Sequence, residues 1–311
     1  MNIYFINWKA DYEVRMINYL KEYYSIFSVY VPEKYVWFDK QLKKLGLKSC
    51  WLGKLFIKKY LRDLQPQDVV IFNDSLLNKG INQYVIDAAN CHRVLLLRNS
   101  VDEEYINKNC SSFDLIYDFE CKKINNEKIK HLEQFFPIGF EELGKFKSVA
   151  AKKNKPVFFF LGREKGRFDT ISKLADNLIE RGFIVDFNIV KDKKTTLSSK
   201  YFIDKPLPYK ENIKRSLLSD VIIDITQESQ SGWTLRVLES LYFNKKIITN
   251  NVNVLKSSIY SPQRFFILDY DGWDKLDNFI NSPVAPVDET ILRTFSPDYM
   301  IEKIVRDIKN I

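Results

Sequence analysis

Residues 220–251 constrain the fold most, because their pattern specifies four successive elements. Residues 221–225 are a short and largely β-branched apolar run, typical of a parallel strand covered on both faces. A polar loop at 227–232 follows, and apolar residues then recur at helical spacing over 235–241. Residues 246–249 begin another strand. The order strand, loop, helix, strand predicts an α/β domain built on a parallel sheet.

The loop in this stretch predicts an anion-binding site at the start of the helix. It delivers four residues to the helix N-terminus, namely Ser231, Gly232, Trp233 and Thr234. Free backbone N–H groups and the helix dipole favour an anion there. Arg236 adds a cation for phosphate, and Glu239 adds a carboxylate for ribose hydroxyls. The alternative is a capped helix with ordinary surface charges, but the carboxyl end of a parallel strand is where such sheets bind ligands.

A second basic turn follows the strong apolar run at 157–161. It contains two glycines, beginning with Gly162, and three basic residues, including Arg163 and Lys165. The glycines permit a close backbone turn, and the positive charge suits a diphosphate. The spacing matches neither a Walker motif nor a dinucleotide-binding fingerprint. The turn is therefore interpreted either as a phosphate contact, with Arg163 its best single residue, or as a charged connection between strand and helix.

Strands alternate with helices twice along the chain, which predicts two doubly wound domains. We expect a first domain at 1–145 and a second at 146–311, joined by a linker within 141–156. The last helix, from 297 to about 308, is expected to return to the first domain. Finer predictions for the first domain are strands at 28–31 and 134–137 and a helix at 120–129, which are tested below.

Carboxylates after the predicted strands are candidates for a general base. Asp11 lies near the start of the first helix, where it could take a proton from an acceptor hydroxyl or simply cap the helix. Asp74, after the third strand, and Glu228, in the motif loop, are the rival carboxylates. The first strand lacks the glycines that a nicotinamide-dependent oxidoreductase would place after it, which argues against that class.

Composition excludes several other classes. The four cysteines are scattered without a Cys-x-x-Cys pair, and with two histidines no zinc-site pattern exists. The same scarcity of histidine disfavours a hydrolase triad. The longest purely apolar run, 157–161, is far too short to span a bilayer. The N-terminus lacks a basic region and a cleavage site, so we expect no secretory signal and a cytoplasmic protein.

The net charge of +8 is concentrated between Lys34 and Arg62, where nine basic residues face a single acid, Asp39. Aromatic and leucine side chains are interleaved with these charges. The mixture suits an anionic membrane surface. It also suits a phosphorylated acceptor, or nucleic acid, although no nucleic-acid module is recognisable and we expect none to bind. The remaining alternative is a pair of helices with solvated lysines and buried aromatic residues.

The motif at 230–239, together with 245–251, resembles that of small bacterial GT-B glycosyltransferases that build lipopolysaccharide and capsule. The length of the chain, its opening residues 1–8 and its ending most resemble those of lipopolysaccharide core rhamnosyltransferases. The resemblance implies two Rossmann-like domains with a cleft between them. It implies that the second domain binds a nucleotide-sugar donor, such as dTDP-L-rhamnose, and that the first binds the core acceptor at the inner face of the cytoplasmic membrane. Ser231, Gly232 and Thr234 would then contact the diphosphate, with Arg236 nearby and Glu239 on the ribose.

The resemblance implies direct displacement with no metal ion or other cofactor, and no Asp-x-Asp triplet is present. A β-linked donor would give an inverted linkage, which calls for a base. Many retaining GT-B enzymes carry two glutamates near the donor at a shorter separation than Glu228 and Glu239, so the stereochemistry stays open. Transfer of another sugar, such as Kdo or a hexose, also stays open. So does a non-catalytic protein that binds nucleotide sugar or anionic glycolipid.

Overall fold

A computed structural model describes residues 1–77, 79–120, 126–146, 155–193, 195–227 and 230–311. The chain forms two compact units. One comprises Met1–Pro137 with Pro297–Ile311, and the other comprises Ile138–Ser296. The division thus falls somewhat before the expected boundary at 145/146, and the last helix belongs to the first unit.

The first unit contains a six-stranded, entirely parallel sheet with the strand order β2-β1-β3-β4-β5-β6. Its strands are β1 (Ile3–Ile6), β2 (Ile26–Val29), β3 (Val69–Asn73), β4 (His92–Leu96), β5 (Leu115–Asp118) and β6 (Ile129–His131). Its first five helices are α1 (Asp11–Leu20), α2 (Glu33–Lys44), α3 (Trp51–Tyr60), α4 (Asn82–Ala88) and α5 (Glu103–Asn109). Alternate residues of β1, β3, β4 and β5 enter two different cores, one on each face of the sheet. This double burial explains the uninterrupted apolar runs in the sequence.

The second unit contains another six-stranded parallel sheet, with the order β12-β11-β10-β7-β8-β9. Its strands are β7 (Val157–Arg163), β8 (Ile184–Val190), β9 (Phe202–Ile203), β10 (Val221–Asp224), β11 (Lys246–Thr249) and β12 (Phe265–Ile267). Its helices are α6 (Phe168–Glu180), α7 (Tyr209–Leu218), α8 (Leu235–Tyr242), α9 (Leu276–Asn281) and α10 (Glu289–Thr294). The order reverses between β7 and β10, which makes their carboxyl ends the place where a doubly wound sheet binds ligands.

The last helix, α11 (Pro297–Ile308), is part of the first unit because its apolar face is buried in that core. Met300, Ile301 and Ile304 are fully buried beside the strand residue Phe5. The Tyr117 hydroxyl donates a hydrogen bond of 2.8 Å to Asp307 Oδ2 and ties the helix to β5. Within the described ranges, no helix is long and apolar enough to cross a membrane.

Three local predictions for the first unit differ from the structure. The second strand occupies Ile26–Val29, two residues earlier than expected. The end of the segment predicted as a helix at 120–129 instead begins the short strand β6, while 121–125 lie outside the described residues. The segment 134–137 is not a strand, although its aromatic residues are buried as expected of an apolar run.

Candidate functional site

The carboxyl ends of β7 and β10 bring together two predicted residues, Gly162 and Arg236. A Cβ atom on Gly162 would lie 2.9 Å from Arg236 Nη1 and 3.0 Å from the Phe160 ring. The absence of a side chain at Gly162 therefore leaves room for the guanidinium group at the end of β7. Arg236 Nη1 donates to the Leu161 carbonyl at 3.2 Å, and its Cζ lies 5.2 Å from the centre of the Phe160 ring.

Arg236 is held mainly by a buried carboxylate, Asp224, at the end of β10. Its Nε and Nη2 atoms each lie 3.0 Å from Asp224 Oδ1. The Asp224 side chain is fully buried, whereas that of Arg236 is 17% exposed. The sequence predicted Arg236 as a phosphate contact, and that role stays a prediction. In the structure the guanidinium is the partner of Asp224, and a small exposed part of it remains for a ligand.

The basic turn after β7 supplies three further cations. Lys165 and Gly166 adopt left-handed backbone conformations, with φ of +43° and +72°, so the chain reverses sharply into α6. Arg163 and Lys165 are exposed. Arg167 is half-buried and donates to the carbonyl groups of Arg163, at 2.6 Å, and Ile225. Through these bonds Arg167 connects the β7 turn to the loop after β10.

The basic side chains of this turn repel one another. Loss of hydration lowers the pKa of Lys165 below its usual value, and the charges of Arg167, Arg236 and Arg163 lower it further. Burial lowers the pKa of Arg167 to about 10, assisted by Arg236 and opposed by Asp224 and Asp192. The lowered pKa values of Lys165 and Arg167 therefore include repulsion from neighbouring cations, which an added anion would relieve.

Helix α8 begins beside this cluster, as the sequence predicted. Thr234 is its N-cap: the Oγ1 atom accepts from the Val237 N–H at 3.4 Å and donates to Asp224 Oδ1 at 2.8 Å. In the preceding loop Ser231 is exposed, Gly232 is buried and Trp233 is half-buried. The candidate base Glu228 lies outside the described residues.

Two asparagines that follow β11 hold this loop. Asn250 Oδ1 accepts from the N–H and the hydroxyl of Thr226, at 2.7 and 3.0 Å. Asn251 Nδ2 donates to the Ser231 carbonyl at 3.3 Å. The sequence placed both asparagines in the motif but gave them no role, because a contact between neighbouring strand ends is visible only in three dimensions.

Glu239 occupies a different environment from the one expected of a ribose ligand. The residue is 1% exposed, and its carboxylate accepts from Asn212 Nδ2 at 2.5 Å and from Ser216 Oγ at 3.2 Å, both on α7. Burial raises the pKa of Glu239 to about 7, even though Arg236 and these donors favour the charged form. In this conformation the carboxylate joins α8 to α7, so a role on ribose stays a prediction that would require these bonds to open.

In the first unit, the predicted carboxylates occupy the carboxyl end of the other sheet. Asp11 is the first residue of α1 and is exposed, and the N-cap is Ala10, so the capping alternative for Asp11 is wrong. The capping carboxylate is Glu13, which was not predicted as a site residue: its Oε2 accepts from the Ala10 N–H at 3.0 Å. Its Oε1 accepts from Asn73 Nδ2 at 3.1 Å. Burial raises the pKa of Glu13.

Asp74 links the loops after β3 and β4. Its Oδ1 accepts from the Arg98 N–H at 2.6 Å, and its Oδ2 accepts from Asn99 Nδ2 at 2.7 Å. The Arg98 guanidinium lies 3.8 Å from the centre of the Phe135 ring. Asp74 is therefore already engaged by protein donors, whereas Asp11 is exposed at the start of its helix.

Among the residues that the structure describes, no group of three or more histidine, cysteine, aspartate or glutamate side chains could hold a metal ion. The carboxyl ends of β7 and β10 carry cations, a helix N-terminus and polar loop groups. Such groups bind and stabilise phosphate oxygens.

Comparison with known proteins finds the same architecture in several solved structures. No family model and no curated sequence matches the chain. HepE of Anabaena in complex with UDP-glucose matches with a TM-score of 0.63 at 12% identity, covering 100% of both chains. An apo structure of OtsA matches with a TM-score of 0.61 at 12% identity, also covering 100% of both.

An α,α-trehalose-phosphate synthase (UDP-forming) from Burkholderia xenovorans, in complex with glucose-6-phosphate, has a TM-score of 0.56 at 12% identity. That match covers 83% of this chain and 76% of the other. At such low identity these likenesses establish the fold. Together with the two six-stranded parallel sheets, they show that the chain has the GT-B fold.

Proposed function

We propose that the protein is a glycosyltransferase whose donor is a nucleoside-diphosphate sugar bound at the carboxyl ends of β7 and β10. The observation that carries this proposal is the cluster of Arg163, Lys165, Arg167 and Arg236 beside the N-terminus of α8. A diphosphate is the group that such a cluster fits best, because it spreads two negative charges over several oxygens. The fold neighbours in complex with UDP or UDP-glucose support the same donor class.

The chemical step that we propose is direct displacement at the sugar. The cations and the amide groups at the start of α8 stabilise the nucleoside diphosphate as it leaves. A carboxylate of the first unit deprotonates the acceptor hydroxyl if the linkage is inverted. Asp11 is the preferred base because it is exposed, whereas Asp74 is already bonded to protein donors.

The finer proposal is transfer of L-rhamnose from dTDP-L-rhamnose to the lipopolysaccharide core, at the inner face of the cytoplasmic membrane. It rests on the resemblance of the chain's length, opening residues 1–8 and ending to those of core rhamnosyltransferases, and on the motif at 230–239 and 245–251 that such transferases share with others of lipopolysaccharide and capsule synthesis. The UDP and UDP-glucose complexes among the fold neighbours make a uridine donor carrying a hexose the second candidate.

The test is turnover with defined donors. The purified protein is incubated with dTDP-L-rhamnose, UDP-glucose or CMP-Kdo, with and without core oligosaccharide, and products are followed by mass spectrometry. We expect one donor to be consumed and its sugar to appear on the oligosaccharide. Core oligosaccharide from cells lacking the gene should lack the same sugar. Tight donor binding without hydrolysis or transfer, together with an unchanged core, would indicate a binding protein instead.

The ribose role of Glu239 has its own test. In Glu239→Gln, affinity for the nucleoside diphosphate should fall while affinity for pyrophosphate hardly changes. An equal loss for both ligands would assign Glu239 to the α7–α8 contact alone.

A further inference from the structure

The segment between Lys34 and Arg62 exposes an unusual amount of apolar surface. Of the eighteen large hydrophobic side chains that are exposed in the described residues, seven lie within it: Val36, Trp37, Phe38, Leu45, Leu47, Trp51 and Leu55. Trp37 and Trp51 are more than half exposed, and Leu45 is 72% exposed. Clustered exposed apolar side chains mark an interaction surface, whereas single ones are ordinary.

Five of these side chains lie on α2 or α3, and both helices are packed against the core. The opposite faces of α2 and α3 bury Tyr35 and Phe56, whose ring centres lie 5.9 Å apart. Gly53 of α3 closely approaches the backbone of α4, because a Cβ there would lie 2.1 Å from the Tyr84 carbonyl oxygen. The outward aromatic residues are thus presented by a fixed scaffold, and Trp37 and Phe38 contact each other at 5.1 Å between ring centres.

The charge of the same surface is almost entirely positive. All nine basic side chains between Lys34 and Arg62 are exposed. The one acid of the segment, Asp39, is buried, where Lys43 Nζ donates to it at 2.8 Å and Ser49 Oγ at 2.5 Å. Burial removes that negative charge from the surface, so the exposed aromatic residues share the surface mainly with cations. Lys43 is paired with Asp39 and Arg62 with Asp63, and Glu33 is the exposed acid of α2.

We infer that the surface formed by α2, the turn at 45–50 and α3 docks on an anionic lipid bilayer, with Trp37, Phe38 and Trp51 entering the interface. Lysines beside exposed tryptophan and leucine side chains have the composition of helices that lie in a membrane interface. The basic residues are attracted to anionic headgroups, and the aromatic rings move from water into the boundary between headgroups and acyl chains. This inference does not depend on the sugar chemistry proposed above.

The test is flotation of the purified protein with vesicles of phosphatidylcholine, alone or mixed with phosphatidylglycerol. We expect binding only to the mixed vesicles, and weaker binding at high salt because exposed charges are screened. Replacing Lys44, Lys54, Lys58 and Lys59 with glutamine should reduce partitioning at least about tenfold. Lys43 is left unchanged because it neutralises Asp39. A matched control replaces four exposed lysines of the second unit, Lys155, Lys173, Lys205 and Lys210, and should bind as the parent does.

A second variant set separates insertion from adsorption by charge alone. Trp37→Ser with Phe38→Ser and Trp51→Ser should also reduce flotation strongly, whereas Ile184→Ser with Leu218→Ser, both exposed in the second unit, should leave it unchanged. Brominated lipids should quench the fluorescence of the parent, and Trp37→Phe with Trp51→Phe should bind but lose that quenching. Failure of the parent to float with anionic vesicles would overturn the inference. Full binding by the serine variant would overturn it as well, and so would binding to RNA in preference to vesicles.

Discussion

Arg236 and Asp224 form a pair in which two guanidinium nitrogens lie 3.0 Å from one carboxylate oxygen that is fully buried. Asp224 also accepts from the N-cap residue Thr234 at 2.8 Å. A buried carboxylate requires such partners, because an unpaired charge in the interior costs several kcal/mol. The pair therefore fixes the start of α8 relative to the end of β10 and aligns the groups that we propose contact the donor.

We expect Arg236→Ala to be strongly destabilising. Removing the guanidinium leaves Asp224 as an uncompensated buried charge, a change that typically costs about 3–5 kcal/mol. Urea denaturation followed by circular dichroism measures it. Adding Asp224→Asn to the variant should recover part of the loss, because the unpaired charge is then gone. A variant as stable as the parent would show that the pair contributes nothing to folding.

Asp11 and Glu13 lie close together on α1, and we expect a substitution of Asp11 to change turnover and a substitution of Glu13 to change stability. Asp11→Asn should leave stability nearly unchanged, because Asp11 is exposed and is not the N-cap. It should lower turnover by about 10²–10⁴-fold if the carboxylate is the base. Stability is read from thermal unfolding, and turnover is read with the donor identified as above.

Glu13→Gln is the matched control. The glutamine side chain has one acceptor oxygen, so its NH2 group would face either the Ala10 N–H or Asn73 Nδ2, which are both donors. The variant should therefore lose about 1–3 kcal/mol of stability. If Asp11→Asn keeps parental turnover, Asp11 is not the base, and Asp74 or Glu228 becomes the next residue to test.

The architecture could be predicted from the sequence because its signals are local. Strands buried on both faces give apolar runs such as 157–161, and 221–225 is apolar except for the buried Asp224. The predictions that were wrong also have local causes. The strand β6 has three residues, too few to show a period, and the aromatic run at 134–137 is buried without joining a sheet.

The site could be predicted only in part, because the partner of a charged side chain is set by tertiary contacts. The sequence indicated the loop and the helix start at Thr234, which depend on neighbouring residues. It could not show that Arg236 faces Asp224 or that Glu239 turns toward α7. Glu13 was missed as a site residue for the same reason, because it bonds to Asn73, which is distant along the chain. Arg167 was recognised as a cation of the basic turn, but its bond to the Ile225 carbonyl could not be predicted.

Glu239 should make stability depend on pH. Its pKa is raised to about 7 in the folded protein, against an ordinary value of 4.5. The folded state therefore binds more protons between these values, and stability falls as pH rises from about 4.5 to 7, by an amount on the order of 3 kcal/mol. Glu239→Gln should remove this dependence. Urea denaturation gives the free energy of unfolding of both proteins at pH 5 and pH 7.5. The variant should be more stable relative to the parent at pH 7.5 than at pH 5, and an equal stability difference at the two pH values would contradict the assignment.

The most direct measurement of the central claim is calorimetry of UDP and dTDP binding to the parent and to Arg163→Gln with Lys165→Gln. Both side chains are exposed, so their loss should leave the circular dichroism spectrum unchanged. Charge-assisted bonds contribute roughly 1.5–3 kcal/mol each, so affinity should fall at least about tenfold. Lys173→Gln, an exposed control on α6, should bind as the parent does. Equal affinity in the parent and the double variant would contradict a nucleoside-diphosphate site at this turn.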